Sequence, residues 1–170
     1  MKKFLSIVIA TLLLFSVSVS TFAAESEPGS ASCECVDITD EADFVLNGNI
    51  IARSTSLPTT YHKLAGKNYS ADLQVVGKSW LYTNKYYHPN GDGRIYVDYD
   101  VTADTQTTTF YIGLYDLTND KLVVEFDAGE VRTSGKDGSM YFYNLTQSHN
   151  YAVCFRAHPA SLNGRAVIRH

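Results

Sequence analysis

The chain has 170 residues, a formal net charge of −4 and a pI near 5.7. That acidic balance excludes the broad basic face a nucleic-acid footprint requires. Twelve tyrosines among 170 residues, with frequent threonine and glycine punctuation, favour strands over helices.

Lys2 and Lys3 precede an apolar, uncharged run from Phe4 to Val19, and small residues follow at Thr21, Ala23 and Ala24. These are the parts of a Sec signal peptide, with cleavage expected after Ala23. The run is short for a membrane span of about 20 residues, and no later stretch is long and apolar enough for one. Removing 1–23 from 170 residues leaves 147, enough for one domain with a real core. The expected organisation is a signal peptide over 1–23, a flexible Glu/Ser/Pro/Gly-rich segment over 24–43 and a single β-sandwich domain over 44–170. The mature protein is expected to be secreted and extracellular.

Three cysteines remain: Cys33, Cys35 and Cys154. In an oxidising compartment they predict one disulfide and one leftover thiol, with Cys33 or Cys35 bridging to Cys154. A bridge between Cys33 and Cys35 spans one residue and would be strained.

From Tyr69 the chain reads as short strands separated by turn signals. Strands are expected over Tyr69–Val76 and Ser79–Tyr87, then over Ile95–Thr102 after the Pro89-Asn-Gly-Asp-Gly93 turn. The stretch Ser79–Ala103 predicts a hairpin, since Asn-Gly and Asp-Gly supply positive φ. Ile95, Val97, Tyr99 and Val101 share one face, opposite Tyr96, Asp98 and Asp100. Further strands are predicted over Thr107–Tyr115, Lys121–Asp127, Ser139–Asn144, Asn150–Ala157 and Gly164–Arg169. Phe110, Ile112 and Leu114, with Leu122, Val124 and Phe126, are expected to face inward. Turns every eight to twelve residues predict an all-β Greek-key sandwich, immunoglobulin- or fibronectin III-like or jelly-roll-like.

Leu145-Thr-Gln-Ser-His-Asn-Tyr151, followed by Val153 and Phe155, resembles the E–F corner of fibronectin type III-like sandwiches. That resemblance implies a Tyr151 hydroxyl tied back to the corner backbone, and says nothing of function. The run from Trp80 onward is similar to small secreted proteins of Gram-positive bacteria.

Three kinds of chemistry have candidates. Asn90, Asp92, Asp98, Asp100 and Asp104 cluster as a calcium site would, but the EF-hand pattern fails at His88 and Tyr99, so a solvated turn is the better reading. Cys154 with His149 or His158 suggests a nucleophile pair, yet no triad, zinc or phosphate motif accompanies it, and neither cofactor nor metal is expected. Tyr96, Tyr111, Tyr141 and Tyr143 recur on polar strand faces, where tyrosine supplies apolar area and a hydroxyl at little entropic cost. Trp80 reads as a core anchor.

The function expected is therefore a non-catalytic binding or surface-interaction module for extracellular polysaccharide or cell wall, using Tyr96, Tyr111, Tyr141 and Tyr143. The alternative is a structural matrix protein that self-associates through an exposed strand edge. Partners exclude nucleic acid; the oligomeric state is open.

Overall fold

From Tyr69 onward, each stretch of alternating apolar residues is a strand in a computed structural model that describes residues 32–39, 50–51, 53–75 and 77–170. The proposed signal peptide lies outside the described residues. The strands are β1 (Glu34–Asp37), β2 (Ile50–Ile51), β3 (Arg53–Ser54), β4 (Tyr69–Val75), β5 (Leu81–Thr83), β6 (Ile95–Ala103), β7 (Thr108–Asp116), β8 (Lys121–Val131), β9 (Lys136–Tyr143), β10 (Tyr151–His158) and β11 (Leu162–Arg169). The described residues contain no helix.

Two sheets pack face to face. One has the order β1-β9-β6-β11-β4-β2 and the other β3-β5-β10-β7-β8. Eight of these strands form nested antiparallel pairs: β4 with β11, β5 with β10, β6 with β9 and β7 with β8. Successive pairs alternate between sheets, which is the winding of a jelly roll. Strands β1, β2 and β3 extend the edges, and β2 alone runs parallel to its neighbour.

Period-two alternation explains the core. Val97, Tyr99 and Val101 of β6, Phe110, Ile112 and Leu114 of β7, Val153 and Phe155 of β10, and Ala166 and Ile168 of β11 are all buried between the sheets. The Phe110 and Phe155 rings stack at 6.1 Å, and Tyr99 meets Phe110 edge-on at 5.5 Å. Each of the larger aliphatic and phenyl side chains among them contributes about 1.5–3 kcal/mol by leaving water.

The expected Ser79–Ala103 hairpin is not formed. Asn90 closes the turn, its backbone bonding Gly93 and Arg94 while its Oδ1 accepts from the amides of Asp92 and Arg94. The flanking strands diverge into different sheets, β5 beside β10 and β6 beside β9 and β11. Gly93 holds φ +69°, and a Cβ there would stand 2.9 Å from the Leu145 carbonyl oxygen, so the turn packs on the β9–β10 corner instead of on its own strands. At that corner the Thr146 amide donates to the Tyr151 hydroxyl at 3.1 Å.

Three other expectations change. Glu34–Asp37, placed in the flexible segment, pairs with β9 because Cys33 and Cys35 have apolar surface to cover at the core's edge. Leu122 faces outward and is 38 % exposed, because Leu114 pairs with Val124 but Tyr115 with Leu122, a bulge that leaves Val123 as the extra residue. The expected bridge from Cys33 or Cys35 to Cys154 is also absent. All three thiols are free: Cys33 and Cys35 pack against the interior beside β9, while Cys154 projects from the opposite face of the other sheet.

Candidate functional site

The outer face of the five-stranded sheet carries an aromatic shelf. Gly113 sits mid-strand in β7 between Ile112 and Leu114, which point inward, so its own Cα faces outward. A glycine inside a strand marks close approach by another group. A Cβ at Gly113 would meet Cys154 Sγ at 2.8 Å, and Leu122 Cδ1 and Trp80 Cη2 at 3.0 Å each. The indole therefore reaches from the start of β5 across β10 to β7, over the small residues Cys154 and Gly113. Cys154 is fully buried beneath it.

Tyrosines surround the indole. Tyr82 stands opposite Cys154 in β5, and Tyr111 and Tyr115 flank Gly113 two residues away along β7. Tyr82 and Tyr115 meet edge-to-face at 5.5 Å, and the Tyr115 hydroxyl donates to Asp120 at 2.8 Å. At the rim, the Arg156 guanidinium carbon lies 4.9 Å from the Trp80 ring and 4.5 Å from the Tyr111 ring. Arg156 Nη2 donates to Glu125 Oε1 at 2.6 Å, and both side chains keep about a third of their exposure, 30 % and 32 %. The result is an apolar platform edged by a donor and an acceptor that water still reaches.

The six-stranded sheet carries the other tyrosine group. Tyr96 and Tyr141 are cross-strand partners with rings 5.2 Å apart, and Tyr143 continues the row at 5.9 Å. Arg169 caps Tyr96 at 4.8 Å and Arg94 caps Tyr141 at 5.0 Å, while the Tyr143 hydroxyl donates to Glu34. Beside them Asp98, with no exposed surface, accepts from Arg169 Nε at 2.7 Å, from Arg169 Nη2 at 3.1 Å and from the Ser139 hydroxyl. The sequence candidates thus split: Tyr96, Tyr141 and Tyr143 come together on one sheet, and Tyr111 lies on the other. Trp80, expected in the core, lies on the outer face instead. Sequence reasoning passed over Gly113 and the Arg156–Glu125 pair, although the lone glycine within TTTFYIGLY was a readable signal of close approach.

A shallow depression of about 420 Å³ on the six-stranded sheet is lined by Asp72, Asp100, Thr102, Gly164 and Arg165 and lacks aromatic surface. No group of three or more His, Cys, Asp or Glu side chains suited to a metal occurs among the described residues. The nucleophile candidates are also ill-disposed. Burial, with the Glu125 charge nearby, pushes the Cys154 thiol well up, so little thiolate forms at neutral pH. His149 is held by Asp116, its Nδ1 lying 2.8 Å from Oδ2. Comparison with protein-family models gives no match, and comparison with curated proteins gives none either.

Proposed function

We propose that the protein is a secreted, non-catalytic module that binds an extracellular polysaccharide or cell-wall glycan on the outer face of its five-stranded sheet. The observation that carries this reading is Trp80 reaching over Gly113, ringed by Tyr82, Tyr111 and Tyr115 with Arg156 and Glu125 at the rim. Sugar rings have one C–H-rich face and a hydroxyl-rich edge, so they fit an indole platform beside a charged donor–acceptor pair. Export rests on the Lys2–Ala24 leader pattern.

The test is retention on insoluble polysaccharides and purified cell wall, reversed by soluble fragments of the retaining polymer. Trp80 is the single tryptophan, so its emission reports on this site alone. Retention lost in Trp80→Ala and Tyr111→Ala, with an unchanged melting curve, supports the reading; retention on no polymer removes it.

A second reading is self-association along β8, the last strand of that sheet, which carries the exposed Leu122. Its two bulges, one at Val123 and one at Ala128, interrupt the edge and weigh against it. Concentration-dependent sedimentation without ligand separates the two.

A further inference from the structure

We infer, resting on the glycan reading above, that this site selects uncharged sugars with adjacent hydroxyls and rejects carboxylated or sulfated ones. A guanidinium that captures an anion offers it a free planar fork of two N–H groups. Arg156 already gives part of that fork to Glu125. Trp80 and Tyr111 hold its guanidinium at 4.9 Å and 4.5 Å, and Nη2 is engaged by Glu125 at 2.6 Å. Nε is buried and has no acceptor among the described residues. A ligand at the rim therefore meets a remaining guanidinium donor directly beside a carboxylate acceptor.

Each hydroxyl of a sugar both donates and accepts, so two neighbouring hydroxyls complement that side-by-side pair. A carboxylate or sulfate only accepts. It would gain the Arg156 donor while lying against Glu125, whose negative charge already offsets the guanidinium. The surroundings add to the repulsion. Asp127 is opposite Tyr111 and Glu130 opposite Thr109 in the β7–β8 register, both exposed, and Asp120 is held at Tyr115, while Lys136 reaches the β8 edge at the Ala128 carbonyl.

Affinity electrophoresis through neutral polymers (glucan, mannan, xylan) and anionic ones (polygalacturonate, heparin), at about 0.15 M salt to screen long-range attraction, tests this. Trp80 emission is followed with soluble fragments of each. The native protein is expected to be retarded by a neutral polymer and by no anionic one. Glu125→Gln, a change at an exposed side chain, should weaken neutral retardation about tenfold, the effect of one charge-assisted hydrogen bond, and create retardation by an anionic polymer. Retardation of the native protein by anionic polymers alone, with a Trp80 emission change, overturns this inference and leaves the glycan reading standing. Undiminished neutral binding in Glu125→Gln overturns it as well. No retardation by any polymer, with unmoved Trp80 emission, overturns both.

Discussion

The two outer faces use the same parts to different ends. Each sets an arginine over tyrosine rings and pairs it with a carboxylate. On the six-stranded sheet that carboxylate, Asp98, has no exposed surface and is gripped by Arg169 through two nitrogens and by Ser139. On the five-stranded sheet, Glu125 holds Arg156 through one nitrogen, and both remain about a third exposed. A buried pair is structural, because removing either member strands a charge out of water. A half-exposed pair adds little stability and stays open to exchange partners with a ligand. Burial, more than residue type, separates framework from site.

The sharpest way to break this comparison is to remove each arginine. Arg169→Ala leaves Asp98 buried without its cation and is expected to cost about 3 kcal/mol in urea denaturation. Arg156→Ala should cost less than about 1 kcal/mol. Equal losses would erase the distinction between the faces.

A second effect lies at the loop end, where Asp116 is almost fully buried. Burial alone would raise its carboxyl, but hydrogen bonds from His149, Asn119 and Thr118 hold it below the usual range. A carboxyl lowered by folding stabilises the fold above its unfolded value, about 3.9. That contribution fades as pH falls through the lowered folded value. Asp116→Asn should therefore flatten the acid limb of stability below about pH 4, measured by denaturation at several pH values, and leave glycan retention intact.

Smaller still, Tyr151→Phe removes the hydroxyl that accepts from the Thr146 amide and should cost about 1 kcal/mol in the same denaturation assay. The subtlest test concerns cover. A thiol reagent under native conditions should leave Cys154 unmodified in the intact protein and label it in Trp80→Ala, with little change in melting temperature. Labelling of the intact protein at the same rate would mean that the indole does not shield the shelf.

Much of the fold was legible because β-sandwich strands alternate. The inward rows of β6 and β7 follow from Ile95-x-Val97-x-Tyr99 and Phe110-x-Ile112-x-Leu114 without further information. Alternation does not say which sheet a strand joins. The Asn90–Gly93 turn is locally sound, yet it links strands of opposite sheets, because β5 finds β10 and β6 finds β9, partners fixed only by long-range packing. A bulge is equally invisible, so Leu122 was read as core. The site failed to emerge for the same reason. Trp80, Gly113 and Arg156 are separated by more than 30 residues at each step and meet only through the β5-β10-β7 order. Tyr96 and Tyr141 share a face as their alternation suggested, but which sheet faces a ligand is a question of burial that periodicity does not answer.

The nested pairing has a consequence for how the chain acquires its shape. In the β4–β11 ladder Tyr69 lies opposite Ile168, and β11 fills the place between β4 and β6 in the middle of its sheet. Among the described strands, only β7 and β8 pair across a short turn. Contacts so distant along the chain make for a high contact order and slow folding, on the order of milliseconds to seconds. Until β11 has been made, β4 and β6 have no strand to join them, so the six-stranded sheet is completed only by the last of the described strands, although β6–β9 and the whole five-stranded sheet can pair before it.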